Sequence, residues 1–185
     1  FLSRTPKNRP FIKFCPKADC DLYMPKTIIG VMGPGEQATE SDLKNAYEIG
    51  KFCASKGWIT LTGGRNKGVM NEALKRAKEN GGLTVGILPT NDKTTFSEFI
   101  DILICTNMRS GRNYINALSS DIMVACNMGP GISSEVSHAI CAEKKVILVG
   151  VFEEATLFFK KLDAKRVFIA KDYKDAIAML EKELQ

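Results

Sequence analysis

The sequence predicts an α/β fold of the Rossmann-like class, a doubly wound parallel sheet with helices on both faces in a single domain. From Thr27 onward, short apolar runs alternate with amphipathic segments long enough to form helices. The apolar runs show no alternation with polar residues, which is the pattern of strands that helices cover on both sides. Ligands of such sheets bind beyond the carboxyl ends of the strands, so the loops that follow the strands are the expected sites.

Seven strands and six helices follow from this pattern. The predicted strands occupy residues 27–32, 58–62, 84–88, 102–105, 122–126, 146–151 and 167–170. The predicted helices occupy a segment that Ser41 caps and Gly57 ends, followed by 69–79, 109–119, 136–142, 154–162 and 173–184. A polar loop at 90–95 joins the third strand to the fourth.

Charge and proline content separate residues 1–26 from the domain predicted at 27–185. The first segment has six basic and two acidic residues, so most of the formal net charge of +5 lies there. It also contains four of the seven prolines and no helical or strand periodicity, which indicates an extended basic arm. Because the domain itself is close to neutral, nucleic acid is not an expected partner.

The cysteines indicate a reducing, cytoplasmic compartment. Four of the six lie in predicted strands or helices, where a free thiol behaves as a small apolar group. Cys15 and Cys20 are close together in the arm. They are either two unpaired thiols, a disulfide or half of a zinc site. His138 is the only histidine, so no metal site is predicted. No apolar run is long enough to span a membrane, and no signal peptide is expected.

Three glycine-rich turns follow predicted strands. The first, Gly33-Pro34-Gly35, either approaches a ligand or is structural; the second strand ends without the acidic residue that a dinucleotide ribose requires. The second, Gly63-Gly64-Arg65-Asn66-Lys67-Gly68-Val69-Met70, lacks the ending of a Walker loop. This turn either binds an anion or a ribose, or it is a tight connection whose basic side chains lie in solvent.

The third turn lies after the strand 122–126 and is the strongest candidate. It runs from Asn127 through Gly129-Pro130-Gly131-Ile132 to Ser133 and Ser134, which are expected to cap the next helix. A strand, a glycine turn and a helix N-terminus together present free N–H groups to an anion, so the turn predicts a phosphate site. Glu135 is expected in the first turn of that helix.

Two arginines at the start of the preceding predicted helix are expected at the same edge of the sheet as the turns. Arg109 and Arg112 are three residues apart and therefore share a helical face. An exposed arginine pair is the alternative. A carboxylate such as Glu135 beside a phosphate site is costly unless an arginine pairs with it or a reaction uses it.

These motifs, in this order, resemble the LONELY GUY and "lysine decarboxylase-like" Rossmann superfamily between about Thr27 and Gly150. Within it, the sequence resembles the molybdenum-cofactor carrier proteins and their uncharacterised bacterial relatives. The enzymatic branch cleaves the N-glycosidic bond of nucleoside 5′-monophosphates, and its essential Arg and Glu match Arg112 and Glu135. The resemblance implies that these two would be catalytic in an enzyme, without a required cofactor.

Other signature positions of the enzymatic branch are changed in this sequence. Its Lys corresponds to Asn113, its Pro to Asn127, the first Gly to Met128 and its Thr to Ile132. The loss of the Thr hydroxyl removes a phosphate hydrogen bond worth about 1.5–3 kcal/mol. The carrier branch only has to hold its ligand, so the resemblance favours a carrier over an enzyme.

The sequence therefore predicts a binding protein for a phosphorylated heterocyclic ligand, either a nucleotide or a molybdenum cofactor of the molybdopterin type. A cytokinin-activating type of phosphoribohydrolase and a non-catalytic oligomeric scaffold or nucleotide sensor are the alternatives. The resemblance also implies a homodimer or higher homo-oligomer, to which the apolar side chains of the arm contribute. The expected ligand-binding residues are Gly33, Gly35, Gly63, Gly64, Arg65, Gly68, Val69, Met70, Arg109, Asn127, Gly129, Gly131, Ile132, Ser133 and Ser134.

Overall fold

A computed structural model describes residues 25–92 and 94–184. The strands are β1 (Ile28–Met32), β2 (Ile59–Thr62), β3 (Thr84–Leu88), β4 (Ile102–Cys105), β5 (Ile122–Cys126), β6 (Lys145–Val149) and β7 (Val167–Ala170). The helices are α1 (Glu40–Ser55), α2 (Gly68–Glu79), α3 (Arg112–Ser119), α4 (Pro130–Cys141), α5 (Glu153–Leu162) and α6 (Tyr173–Glu183). The predicted arm, with Cys15 and Cys20, lies outside the described residues except at its last two positions, and its boundary with the domain stays a prediction.

The strands form one parallel sheet in the order β4-β3-β2-β1-β5-β6-β7. The chain builds outward from β1 to the edge strand β4 and then returns to place β5 on the other side of β1. Adjacent β1 and β5 therefore form the point at which the strand order reverses. Open α/β sheets bind their ligands in the crevice at such a point. The turns after β1 and β5, two of the three glycine turns, flank it.

Helices cover both faces of the sheet, which confirms the predicted fold class. The side chains of α1, α2 and α6 pack with one set of strand residues, such as Val124. Those of α3, α4 and α5 pack with the other set, such as Met123. Since neighbouring residues of a strand point to opposite faces, every residue of β5 is buried, and the strand is apolar throughout.

The start of α4 differs from the prediction. The helix begins at Pro130, with Gly129 as its N-cap. Proline suits the first helical position, because its φ is fixed near the helical value and the N–H that it lacks would have no partner there. Pro130 therefore begins the helix before the two serines. Ser133 and Ser134 lie inside the helix, where their hydroxyls donate to the carbonyl oxygens of Pro130 and Gly131 at 2.9 and 2.8 Å.

Two other helix starts also differ from the prediction. Thr39, rather than Ser41, caps α1: its hydroxyl accepts from the Asp42 N–H at 3.2 Å, and the Asp42 carboxyl accepts from the Thr39 N–H at 2.9 Å. This reciprocal capping box satisfies two backbone donors, which Ser41, two residues later and inside the helix, does not. Residues 109–111 form a 3-10 turn before α3. No described helix is long and apolar enough to cross a membrane.

Candidate functional site

A cleft of about 710 Å³ opens at the carboxyl edge of the sheet where β1 and β5 meet. Its walls come from the turns after β1, β2 and β5, the loop after β3, and the first residues of α3 and α4. The volume lies within the range of small-molecule and cofactor sites. The side chains and backbone that line it are Met32, Gly33, Pro34, Gly35, Glu36, Gln37, Gly63, Arg65, Asn66, Lys67, Met70, Pro89, Thr90, Asp92, Thr95, Arg112, Asn113, Met128, Gly129, Pro130, Gly131, Ile132 and Glu135.

Arg112, the first residue of α3, lies on the floor of the cleft and is only 9% exposed. Its Nη1 donates to the carbonyl oxygen of Ile87 at 3.1 Å, while its Nε has no hydrogen-bond partner. The guanidinium packs on Gly63, where a Cβ would lie 2.0 Å from Nη1. Gly63 is therefore required for the close approach of this arginine to the sheet. The Nε is thus a buried donor that the protein leaves unsatisfied.

Glu135 lies beside Arg112, with 5% of its surface exposed. Its Oε1 accepts a hydrogen bond from Asn116 Nδ2 at 2.7 Å. Burial raises the pKa of the Glu135 carboxyl, and the bond from Asn116 and the charge of Arg112 only partly oppose this. Burial likewise lowers the pKa of Arg112, against the attraction of Glu135. Glu135 lies in the second turn of α4, one turn later than predicted, which places it on the buried face.

The beginning of α4 supplies free backbone donors. Ser133 N donates to the Gly129 carbonyl at 2.8 Å, and Pro130 has no N–H. The N–H groups of Gly131 and Ile132, which also line the cleft, precede the first bond within the helix and have no partner there. Asn113 Nδ2 ties this end of α4 to α3 by donating to Ser134 Oγ at 2.7 Å. Such an end of a helix favours an anion.

The Ile132 side chain takes no part in these polar contacts. It is 7% exposed and packs in the apolar layer between the sheet and helices α3 to α5. At this position α4 therefore offers a ligand the backbone N–H alone.

The wall opposite α4 is formed by the β2–α2 turn. Lys67 in this turn makes an ion pair with Glu36 of the turn after β1. Gly68 has φ +55° and approaches the Gly35 carbonyl so closely that a Cβ would lie 2.1 Å from it. The two turns are therefore in direct contact, and Arg65 is the remaining basic group on this wall.

The loop after β3 closes this wall. Asn66 N donates to the Thr95 carbonyl at 3.1 Å, and Ser97 N donates to the Gly64 carbonyl at 3.0 Å. The Ser97 hydroxyl also donates to Asn71 Oδ1 on α2 at 2.7 Å. These bonds bring the segment that contains Thr90, Asp92 and Thr95 onto the cleft.

The structure brings most of the predicted ligand residues together. The predicted residues that line the cleft are Gly33, Gly35, Gly63, Arg65, Met70, Arg112, Gly129, Gly131, Ile132 and Glu135. The predicted residues that do not line it are Gly64, Gly68, Val69, Arg109, Asn127, Ser133 and Ser134. Arg109 is exposed in the 3-10 turn with φ +50°, so it does not share a face with the buried Arg112. Val69 lies in the core beneath Gly33.

Several lining residues were not among the predicted ligand contacts. They are Met32, Pro34, Glu36, Gln37, Asn66, Lys67, Pro89, Thr90, Asp92, Thr95, Asn113, Met128 and Pro130. Many of them neighbour a predicted glycine, and that adjacency is the signal that could have found them. The segment 89–95 gave no such signal, because its position depends on contacts with another loop. Among the described residues, no group of three or more histidine, cysteine or acidic side chains is placed to hold a metal ion.

Fold and cleft together define a Rossmann-like domain with a ligand-sized crevice at the reversal point of its sheet. The model of the SLOG cluster4 family matches residues 26–177, and the chain belongs to that family.

Solved structures with similar sequences have the same fold. The molybdenum cofactor binding protein from the phototrophic bacterium Rippkaea orientalis is 45% identical, with a TM-score of 0.84 over 88% of this chain and 100% of that one. The molybdenum cofactor carrier protein from Chlamydomonas reinhardtii is 50% identical, with a TM-score of 0.81 over 86% of this chain and 99% of that one.

By sequence, an uncharacterized protein of Archaeoglobus fulgidus is 41% identical over 118 residues, which are 64% of this chain and 76% of that protein.

Proposed function

We propose that this protein is a carrier for a phosphorylated heterocyclic ligand, namely the molybdenum cofactor. The observation that carries the proposal is the cleft at the reversal point, which is lined both by Arg112 and by Gly131 and Ile132, whose backbone N–H groups have no partner within α4. These donors suit the phosphate of the ligand. The similarity to a molybdenum cofactor carrier at 50% identity supports this choice of ligand.

The charges in the cleft fit an anionic ligand. Lys67 and Glu36 neutralise each other in an ion pair, and burial raises the pKa of the Glu135 carboxyl. Arg65 and Arg112 then remain as the positive side chains that line the cleft. They would hold the phosphate, while the turn after β1 and the loop after β3 would enclose the ring system.

The geometry disfavours the phosphoribohydrolase for three reasons. Ile132 replaces a phosphate-binding hydroxyl with a side chain that is part of the core. Asn127 has φ +64°, a conformation closed to the proline of the enzymatic signature, so the backbone of this turn differs from what that signature requires. The carboxyl of Glu135 is buried and already accepts a hydrogen bond from Asn116 at 2.7 Å.

The test is retention of the cofactor by the purified protein. Molybdenum cofactor released anaerobically from a molybdoenzyme is mixed with the protein, and the complex is separated by gel filtration. Molybdenum and pterin in the protein fraction are then measured by mass spectrometry and fluorescence. We expect retention in a constant ratio to protein, and a loss of retention in the Gly131→Val variant. Passage of all cofactor into the small-molecule fraction with wild-type protein would refute the proposal.

The retained Arg112 and Glu135 support the phosphoribohydrolase as the second candidate. Wild-type protein and its Glu135→Gln variant are incubated with purine and modified-purine monophosphates, and free base and ribose 5-phosphate are measured. Loss of a catalytic carboxylate lowers the rate by about 10²–10⁴-fold. We expect no release by either protein. Release by wild type that the variant loses would establish the enzyme, with Glu154→Gln on the exposed start of α5 as the control. A cytoplasmic location and a homo-oligomeric state stay predictions.

A further inference from the structure

The turn between β5 and α4 begins at a residue with an unusual backbone. Asn127 has φ +64°, in the left-handed region that non-glycine residues rarely occupy and that asparagine tolerates best. It follows Cys126, the last residue of β5, and comes two residues before the N-cap Gly129. The direction in which the chain leaves the sheet towards the start of α4 is therefore set at this residue.

Three hydrogen bonds fix Asn127 on all sides. Its backbone N–H donates to the Val149 carbonyl at the end of β6 at 2.9 Å. Its Nδ2 donates to Asp42 Oδ2 at 3.0 Å, and its Oδ1 accepts from the Met128 N–H at 2.7 Å. The side chain thus connects α1 to the backbone of the turn. A left-handed residue with its amide bonded on both sides has little freedom to reorient.

Asp42 is a rigid anchor for this contact. It is 3% exposed and lies in the first turn of α1, where the same Oδ2 also accepts from the Thr39 N–H at 2.9 Å. The capping box fixes its rotamer from one side and Asn127 from the other. Neither Asp42 nor Asn127 lines the cleft, so neither is placed to contact a bound ligand directly.

We propose that Asp42 and Asn127 are positioning residues for the ligand. The bond between them holds the β5–α4 turn in its left-handed conformation and thereby aims the N–H groups of Gly131 and Ile132 into the cleft. The inference rests on the proposed function, because it assigns these N–H groups to the bound anion. Its consequence is that ligand affinity depends on a contact with α1 that lies outside the cleft.

The first experiment exchanges the two residues. Asn127→Asp places two carboxyl groups opposite each other and removes the donor, so we expect affinity for the molybdenum cofactor to fall by about tenfold or more, the effect of misplacing one hydrogen bond to a charged group. Adding Asp42→Asn restores the bond with its direction reversed, since the amide of residue 42 can donate to the carboxyl of residue 127. In wild type the oxygen that accepts from Thr39 is the same Oδ2 that faces Asn127, so the donating amide of residue 42 takes its place and the helix cap loses one bond, which lowers the stability of the double variant. We expect the double variant to recover to within about threefold of wild type.

Asn107 provides a matched control. It is an exposed asparagine with φ +52° outside the cleft. Asn107→Asp should leave the affinity unchanged, as should Asn107→Gly. The comparison separates the contact with Asp42 from the general effect of changing a left-handed asparagine. Circular dichroism and thermal unfolding confirm that each variant is folded at the temperature of the binding assay.

A second readout needs no ligand. Asn127→Gly keeps the left-handed backbone accessible but removes both side-chain bonds. We expect faster hydrogen exchange at the Met128 amide, changed amide shifts at Gly131 and Ile132, and weaker cofactor binding. Unchanged exchange and shifts would overturn the inference, whether or not wild type binds the cofactor. Failure of wild type to bind the cofactor would instead overturn the proposed function. Wild-type affinity in Asn127→Asp, or a folded double variant that does not recover, would also overturn the positioning role.

Discussion

Gly131→Val tests whether the anion lies at the start of α4. Gly131 is the second residue of the helix and lines the cleft, and its N–H is one of the two free backbone donors there. A Cβ at this position meets no protein atom within 4 Å. The substitution therefore adds bulk beside the proposed phosphate position without a clash inside the protein.

The structure sets the expected size of the effect. Valine and glycine differ in helix propensity by about 0.5 kcal/mol or less, so the stability should barely change. A ligand held away from the helix loses the bonds from Gly131 and Ile132, each worth about 1.5–3 kcal/mol when one partner is charged. The loss of both is about 3 kcal/mol or more, which raises Kd at least about a hundredfold.

The assay is a titration with molybdenum cofactor at fixed pH and ionic strength, with wild type and variant in parallel. Gly111→Val is the matched control, since Gly111 has helical φ and ψ and lies outside the cleft. A Cβ there comes no closer than 3.5 Å to Met108. A Kd for Gly131→Val within about threefold of wild type, in a folded protein, would show that the ligand does not bind at this helix end.

Glu135→Gln should make the protein more stable than wild type at about pH 8 but not at about pH 4. Burial raises the pKa of the Glu135 carboxyl in the folded protein, so the wild type loses stability as the pH rises from the ordinary carboxyl pKa to the raised pKa. Urea unfolding at both pH values measures this, and equal stability at the higher pH would contradict it. Gly63→Ala should lower the free energy of unfolding by about 1–3 kcal/mol, since its Cβ would lie 2.0 Å from Arg112 Nη1, and Gly111→Ala is the control. Leu148→Ala, at a fully buried position of β6, should cost about 2–5 kcal/mol by leaving a cavity, and a smaller loss would mean that the core collapses around it.

Local patterns were sufficient to predict the sheet strands. The bounds of β3, β4, β5 and β7 agree with the apolar runs. For the fully buried β5 the reason is that a strand covered on both faces has to be apolar at each buried position, whereas the edge strand β4 is apolar although most of it is exposed. Helix starts were less well predicted. At α4 a proline and two serines gave competing signals a few residues apart, and local sequence does not rank them.

The candidate site was predictable in part for the same reason. Turns after parallel strands meet at one edge of a sheet whatever the strand order, so the glycine turns could be assigned to that edge in advance. The family resemblance singled out Arg112 and Glu135, and the structure places both in the cleft. Nothing local distinguished the buried Arg112 from the exposed Arg109. That difference depends on Gly63, a residue after another strand, against which the Arg112 guanidinium packs.

The sequence by itself determined an α/β domain with parallel strands and a glycine turn between β5 and the helix that follows it, because these depend on the order of residues within short segments. Only the tertiary structure decided that β5 pairs with β1, that the loop after β3 closes over the cleft, and that Asp42 holds Asn127 from a distance of 85 residues in the chain. These contacts join segments far apart in sequence. Packing, hydrogen-bond satisfaction and sheet order select them together, and no single segment contains that information.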